Sequence, residues 1–222
     1  MAKIGVVLSG CGVYDGSEIH EAVLTLYFLQ KNGAEVLIMA PDIDQMHVVN
    51  HLKGEPTGEK RNVLVESARI ARGAIVDIAQ VKASDFDALA FPGGFGAAKN
   101  LTTFAVDGPD CKINPEVLRL VRETISARKP LAAICIAPVI VAKALEGTDI
   151  TSSITIGNEE ATAQGINSLG AKHVNCPVKE YVVDRKNNII TTPAYMLGQN
   201  IVEVAEGIEK TCKELLAMVQ GA

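Results

Sequence analysis

Short apolar runs alternate with segments of helical periodicity along the whole chain, and this alternation constrains the fold more than any other feature. Residues 4–8, 36–40, 86–91 and 130–134 are four such runs, each with the length of a buried strand. Parallel strands have this pattern because crossover helices cover both faces of their sheet. The sequence therefore predicts an α/β fold with a mostly parallel sheet and helices on both faces.

We expect a single domain over residues 1–222. The 222 residues are 48% hydrophobic, which is enough to fill one complete core. Residues 53–61 (KGEPTGEKR) are polar and interrupted by glycine and proline. This segment is predicted to be a surface loop rather than a linker, because no independent core precedes it.

Apolar spacing and capping residues predict the individual elements. The first helix is expected to bury Ile19, Ala22, Val23, Leu26 and Leu29 and to end at Asn32 and Gly33. Asp42 is expected to cap a short helix that carries Ile43, Met46 and Leu52. Further helices are predicted over 62–72, 115–128 and 201–219, and further strands over 74–79, 154–156, 174–176, 181–184 and 189–192.

The charge and the aromatic content argue against a nucleic-acid partner. The chain has 21 basic and 26 acidic side chains and a net charge of −5, so no basic surplus exists to neutralise phosphates. Aromatic residues make up 4% of the chain and tryptophan is absent, which weakens any case for base stacking.

The same composition predicts a cytoplasmic protein with no membrane partner. The longest uncharged apolar stretch, residues 131–142, is far shorter than the roughly 20 residues that span a bilayer. The apolar run after Lys3 is too short for a signal peptide. The five cysteines are odd in number and form no CxxC pair, which suits a reducing compartment.

Three segments with reactive side chains are expected at one edge of the sheet. Ligands of open parallel sheets bind beyond the carboxyl ends of the strands, and residues 9–21, 92–96 and 134–138 each follow a predicted strand. In the first segment, Gly10, Cys11 and Gly12 are expected to line a substrate pocket.

Cys135 is the candidate nucleophile. Pro138 fits only the first turn of a helix, so Cys135 lies on a sharp junction between a strand and that helix. The helix N-terminus is expected to lower the pKa of the thiol. The backbone N–H of Ile136, together with one from Gly93 or Gly94, could form an oxyanion hole. The alternative is that Cys135 is a small buried hydrophobic residue at a strand end.

A carboxylate in the first turns of the first helix could face this thiol. Glu21 is next to the apolar stripe, and a partly desolvated glutamate has a raised pKa suited to proton transfer. The alternative is an ordinary first-turn glutamate favoured by the helix dipole. Whether Glu18 or Glu21 faces the thiol stays open, and Asp15 with Glu18 has the spacing of a capping box.

Three other patterns are weaker. The loop over residues 9–16 has the spacing G-x-G-x-x-x-G, one residue too long for a dinucleotide fingerprint, although Asp42 could serve as the ribose-binding acid. His47 and His51 are four residues apart, but no third ligand has a convincing spacing, so neither a metal nor a cofactor is expected. Cys176 could be a secondary redox thiol like Cys11, and His173 is a weak candidate for a Cys-His dyad.

Five motifs, in order, resemble one known family. They are SGCGVYDGSEIHEAVL (9–24), NHLKGEPTGEKRNVLVESARIARG (50–73), FPGGFGAAKNL (91–101), ICIAP (134–138) and TTPAYMLGQNI (191–201). Together they closely resemble the enhancing lycopene biosynthesis (ElbB) family, a branch of the ThiJ/PfpI group with a class I glutamine-amidotransferase-like fold. The resemblance covers essentially the whole chain. It implies a three-layer, flavodoxin-like sandwich, a homodimer, Cys135 as nucleophile, Glu21 as its acidic partner, and Gly93 and Gly94 as oxyanion glycines.

The resemblance also implies an activity, a glutathione-independent glyoxalase acting on glyoxal, with protein deglycation as a related reaction. In the resulting hypothesis, Cys135 forms a hemithioacetal with the small dicarbonyl substrate, and Glu21 shuttles a proton between its two carbons. Many relatives have His or Ala and then Gly-Pro after the nucleophile, whereas Ile136, Ala137 and Pro138 follow it here. Amidase or protease chemistry by a Cys-His dyad therefore lacks its base. The competing prediction is a redox- or stress-sensing protein that keeps the reactive cysteine without turnover.

Overall fold

The structure is a computed structural model that describes residues 1–221. A seven-stranded sheet forms the centre of the molecule. The strands are β1 (Lys3–Val7), β2 (Glu35–Ala40), β3 (Val49–Asn50), β4 (Glu55–Pro56), β5 (Val76–Asp77), β6 (Ala88–Phe91), β7 (Leu131–Ile134), β8 (Ser153–Ile154), β9 (Lys172–His173), β10 (Val182–Asp184) and β11 (Ile189–Thr192). The order across the main sheet is β10-β11-β7-β6-β1-β2-β5, and every neighbouring pair is parallel except β10 with β11. Strands β3 with β4 and β8 with β9 form two small separate sheets.

Helices cover both faces of this sheet. They are α1 (Ile19–Lys31), α2 (Val63–Ile70), α3 (Phe104–Asp107), α4 (Pro115–Ser126), α5 (Pro138–Leu145), α6 (Glu160–Ser168) and α7 (Ile201–Gln220). Apolar side chains of α1, α2 and α7 pack in one buried cluster, and those of α4, α5 and α6 pack in a second. The predicted α/β sandwich with a mostly parallel sheet is thus confirmed.

The strand order places the candidate site. From β1 the chain continues outward through β2 and β5, then returns to the other side of β1 with β6 and β7. The carboxyl ends of β1, β6 and β7 therefore meet where the strand order reverses, the position at which open parallel sheets bind ligands.

No helix within the described residues is both long enough and apolar enough to cross a membrane.

The helix predicted after Asp42 is wrong. This segment is extended and pairs with the returning chain: Gln45 N–H donates to Arg61 O at 2.8 Å, and Val63 N–H donates to Ile43 O at 2.8 Å. Asp42 caps no helix, because its Oδ1 accepts instead from Asn62 Nδ2 at 2.7 Å. Partners some twenty residues away thus satisfy backbone groups that a helix would have satisfied locally.

Three smaller differences concern short elements. The strand expected over 74–79 is only β5, because the Asp77 side chain accepts from Ala79 N–H and caps a 3₁₀ turn. The strand expected over 174–176 lies two residues earlier, as β9. Helix α6 and a π-helical turn over Ala97–Leu101 were not predicted.

The buried amide of Asn100, on that π-helical turn, ties three segments together. Its Nδ2 donates to Ser9 O and to Asp15 O, both at 2.9 Å, and its Oδ1 accepts from Met46 N–H at 2.9 Å. One side chain thereby satisfies backbone groups of the glycine loop and of the extended segment after β2. Buried groups of this kind are costly when they lose their partners.

We expect Asn100→Ala to lower the free energy of unfolding by about 2–4 kcal/mol, because two carbonyls and one N–H lose their partner. Urea unfolding followed by circular dichroism measures the change. Asn158→Ala, at an exposed asparagine, is the matched control and should change stability by less than about 0.5 kcal/mol. Equal effects of the two substitutions would show that the Asn100 amide does not hold these segments.

Candidate active site

Cys135 lies on a sharp junction between β7 and α5, as predicted. Its φ of +63° is in the left-handed region, which costs a residue other than glycine about 1–2 kcal/mol. Its N–H donates to Thr192 O at 2.9 Å, and α5 begins three residues later at Pro138. The elbow leaves the Cys135 side chain 7% exposed, at the edge of the sheet.

Glu21 is the carboxyl group that faces the thiol. It is fully buried in the first turn of α1, and its Oε2 and the Cys135 side chain both lie against Gly93, where an added Cβ would meet both. Each of the two groups shifts the pKa of the other. Backbone donors hold both carboxyl oxygens: Gly93 N–H donates to Oε2 at 3.1 Å, and Tyr195 N–H donates to Oε1 at 3.1 Å. Of the two glutamates that the sequence left open, Glu21 lies against Gly93 beside the thiol, and Glu18 lines the cavity.

The position of Glu21 follows from how α1 begins. Glu18 is the N-cap, and its Oε2 accepts from Glu21 N–H at 2.7 Å. Asp15 takes no part in this cap, because its Oδ2 accepts from Val49 N–H at 2.7 Å. The predicted stripe is partly wrong, since Ile19 and Val23 are exposed while Glu21 faces inward.

Burial dominates the electrostatics of the pair. Desolvation, followed by the negative charge of Glu18, raises the pKa of Glu21 to about 8, against the opposing effect of its hydrogen-bond donors. Burial and the neighbouring Glu21 also raise the pKa of Cys135, although the backbone N–H groups of Gly94 and Ile136 act in the lowering direction. The expectation of a lowered thiol pKa is thus wrong, because desolvation outweighs the helix N-terminus.

The three predicted oxyanion donors, Gly93, Gly94 and Ile136, do not all have the same role. The N–H groups of Gly94 and Ile136 act to lower the pKa of Cys135 and have no other hydrogen-bond acceptor within residues 1–221, so they could stabilise an oxyanion beside the sulfur. The N–H of Gly93 is engaged by Glu21 and is not free for this purpose. Gly93 instead permits close packing, since a Cβ there would lie 2.6 Å from Glu21 Oε2 and 2.9 Å from Ile134 O.

A cavity of about 220 Å³ opens beside the thiol. Its lining is mostly apolar and consists of Val13, Glu18, Gly94, Phe95, Cys135, Ile136, Thr162, Tyr195 and Met196. Gly10, Cys11 and Gly12, which were expected in the pocket, are not part of this lining. Their loop lies towards α2 instead, where Gly10 N–H donates to Ser67 Oγ at 2.8 Å.

Most N–H groups of the glycine loop are already engaged within the protein. Gly12 N–H donates to Ser17 O at 2.9 Å, Gly16 N–H donates to Gly12 O at 2.7 Å, and Ser9 N–H donates to Ser17 Oγ at 2.9 Å. Close packing of Gly16 against Gly10 Cα leaves no room between the two ends of the loop. The geometry therefore does not favour the dinucleotide interpretation.

The remaining candidates lie outside the cavity lining. His173 Nε2 accepts from Ile156 N–H at 3.3 Å, and burial raises the pKa of Cys176 to about 11. His47 and His51 are not on a helix, and the described part of the chain has no group of three or more potential metal ligands.

Tyr195 is a site residue that the sequence analysis did not single out. Besides its N–H bond to Glu21, its hydroxyl is 2.7 Å from His20 Nδ1. Its position just after β11 is the signal that could have identified it, because β11 pairs with β7 in parallel and ends at the same edge.

Comparison with known proteins agrees with this fold. The model of the DJ-1/PfpI family matches residues 11–197. The rat protein "ES1 protein homolog, mitochondrial" is 51% identical over 98% of this chain and 84% of its own length. The human "Glutamine amidotransferase-like class 1 domain-containing protein 3, mitochondrial" is also 51% identical, over 98% of this chain and 83% of its own length.

Solved structures have the same architecture. An isoprenoid biosynthesis protein with an amidotransferase-like domain from Ehrlichia chaffeensis has a TM-score of 0.90 and 39% identity, over 97% of this chain and 99% of that chain. DJ-1beta from Drosophila melanogaster has a TM-score of 0.57 and 22% identity, over all of this chain and 95% of that chain, a likeness of fold alone.

The raised pKa of Glu21 predicts the pH dependence of thiol reactivity. Glu21 loses its proton near pH 8, and its negative charge then adds to burial in raising the pKa of Cys135, so alkylation of this thiol by iodoacetamide should stay slow at neutral pH and accelerate only in the alkaline range. In Glu21→Gln this rise should move to lower pH, because the variant has no carboxylate to raise the pKa of the thiol. Peptide mapping by mass spectrometry measures the rate at Cys135, with Cys11 as internal control. An unchanged profile in Glu21→Gln would contradict the coupling of the two groups.

Proposed function

The chain belongs to the DJ-1/PfpI family, and we propose that it is a glutathione-independent glyoxalase that converts glyoxal to glycolate. Related 2-oxoaldehydes, and glyoxal adducts of proteins, are further substrates under this proposal. The observation that carries it is the Cys135 thiol paired with Glu21, a carboxyl group of raised pKa, at a small apolar cavity.

The first step is addition of Cys135 to one aldehyde carbon. A bond forms between Sγ and C1, and the carbonyl oxygen takes a proton to give a hemithioacetal. The developing negative charge on this oxygen can be stabilised by the N–H groups of Gly94 and Ile136. The thiol proton passes through the Glu21 carboxylate to the carbonyl oxygen, so Glu21 is again ionised for the next step and no external base is needed.

The second step is a proton transfer within the bound adduct. Glu21 removes the proton from C1, an enediol forms, and the proton returns to C2. C1 is thereby oxidised to a thioester and C2 is reduced to an alcohol, so no external oxidant or reductant takes part. Water then hydrolyses the thioester, releasing glycolate and restoring the thiol. A carboxyl pKa of about 8 suits a group that must both accept and donate this proton.

The size of the cavity supports a small substrate. A volume of about 220 Å³ accommodates a two-carbon or three-carbon dicarbonyl, so the cavity can hold the free aldehyde. Histidine is absent from the cavity lining within residues 1–221, and Ile136 follows the nucleophile. The arrangement therefore supports chemistry with a carboxyl group rather than amide hydrolysis by a Cys-His dyad.

A redox- or stress-sensing protein is the second candidate. The raised pKa and low exposure of Cys135 limit the fraction of reactive thiolate at neutral pH, which slows turnover and oxidation alike. Such a protein would react with one equivalent of dicarbonyl or oxidant and stop.

Assembly and location are also proposals. Ile19, Val23 and Tyr27 form one stripe on α1 and are 43%, 48% and 53% exposed. We propose that this stripe is the centre of a homodimer interface related by a two-fold axis.

We further propose that the protein works in a reducing compartment, the cytoplasm, because its five cysteines are free. Two relatives have names that place them in mitochondria, which is another reducing compartment.

Glyoxal turnover tests the proposed function. Without glutathione, we expect the wild type to produce glycolate over many turnovers, and Cys135→Ala and Glu21→Gln to lower kcat/KM at least about 100-fold. Cys11→Ala, which removes a thiol away from the cavity, is the matched control and should keep wild-type activity. Loss of a single equivalent of glyoxal without sustained glycolate release would favour the sensor.

The interface proposal predicts that Val23→Glu shifts the protein towards monomers, because a charge would be buried at the centre of the stripe. Light scattering coupled to size-exclusion chromatography measures the mass. Val65→Glu, at a 62% exposed valine on α2, is the control and should leave the mass unchanged. A wild type that is already monomeric at micromolar concentration would rule the interface out.

A further inference from the structure

Glu18 supplies the only carboxylate in the lining of the cavity within residues 1–221. Among the described residues, the other lining side chains are Val13, Phe95, Ile136, Thr162, Tyr195 and Met196, and none is cationic. The site is thus an apolar pocket with a carboxylate at its rim. A pocket of this kind distinguishes ligands by their charge as well as by their size.

The Glu18 carboxylate is fixed in this position. Its backbone N–H donates to Gly93 O at 3.0 Å, and its Oε2 accepts from Glu21 N–H at 2.7 Å. The side chain is buried, and its other oxygen, Oε1, accepts no hydrogen bond from residues 1–221. The hydrogen bond to Glu21 N–H therefore keeps the Glu18 carboxylate in the cavity wall when a ligand enters.

The nearest cations do not neutralise it. Lys99 Nζ donates to Tyr14 O at 2.9 Å and lies 5.1 Å from the centre of the Phe95 ring, which belongs to the cavity lining. His20 is exposed and reaches the Tyr195 hydroxyl rather than Glu18. No salt bridge joins Glu18 to a basic residue of the described chain. Its negative charge acts on the site instead, since it contributes to the raised pKa of Glu21.

We propose that Glu18 is a specificity-determining residue that admits uncharged carbonyl compounds and excludes those bearing a carboxylate, such as 2-oxo acids. A carboxylate in a cavity of about 220 Å³ must lie close to Glu18, in surroundings that screen charge poorly. The substrate class rests on the proposed function, but the charge preference belongs to the cavity and can be measured without turnover.

Two thiol reagents of nearly equal shape isolate the charge. Iodoacetamide is neutral and iodoacetate is anionic, and both alkylate Cys135 at the same atom. At pH 7, where Glu21 is mostly protonated, the ratio of the two rate constants at Cys135 reports the field of Glu18. Changes in thiol pKa affect both reagents alike and cancel in this ratio. Peptide mapping assigns the product, and Cys135→Ser provides the blank.

We expect the preference of Cys135 for iodoacetamide to be at least about tenfold greater in the native protein than in the urea-unfolded chain, and to fall about tenfold in Glu18→Gln. Gln keeps the acceptor that caps α1, and Glu18→Asp, which keeps the charge, should retain most of the preference. Glu159→Gln is the matched control, because Glu159 caps α6 in the same way but is exposed. The ratio at Cys11 should stay constant throughout.

Equal ratios in the native and unfolded wild type would overturn the proposal without any variant. It would equally be overturned if Glu18→Gln kept the wild-type ratio, or if Glu159→Gln lowered it as much. If glyoxal turnover is absent but the ratio behaves as expected, the proposed function fails and the charge preference stands. If glyoxal is turned over and Glu18→Gln leaves the ratio unchanged, the proposed function stands and the charge preference fails.

Discussion

A buried carboxyl group against a buried thiol is the interaction on which the arrangement of the site depends. Glu21 comes from α1 and Cys135 from the elbow after β7, while the N–H donors of Gly93 and Tyr195 follow β6 and β11. Four separate segments must therefore meet before the carboxyl group has its partners. An ionised carboxylate without such partners is costly in the interior, so the sheet edge has to be complete before the pair can exchange protons.

Local signals predicted much of this arrangement. Strands β1, β2, β6, β7 and β11 and the long helix α7 were evident because apolar periodicity is a property of neighbouring residues. Cys135 was identifiable because Pro138 fixes where α5 can begin, and thereby fixes a sharp turn before it. The sheet edge then followed from parallel connectivity, which carries the segments after β1, β6 and β7 to one place.

The parts that the sequence did not predict depend on contacts between distant residues. Hydrophobic spacing identified α1 but not the face that it buries, and Glu21 and Thr25 point inward where Val23 was expected. The helix after Asp42 failed because that segment pairs with residues 61–63. The donor role of Gly93 towards Glu21 depends on how two elements pack, and no local pattern contains that information.

Helix α1 contributes side chains both to the candidate active site and to the outer surface of the molecule. Glu18, Glu21 and Thr25 lie on its inner side, and Ile19 and Val23 lie on its outer side. Each residue of an α-helix turns the chain by about 100°, so inserting or deleting one residue near its start would carry an apolar side chain into the site and the carboxyl group into solvent. The exposed turn between β3 and β4, residues 51–54, can accept an inserted residue, whereas the first turns of α1 can change by substitution alone.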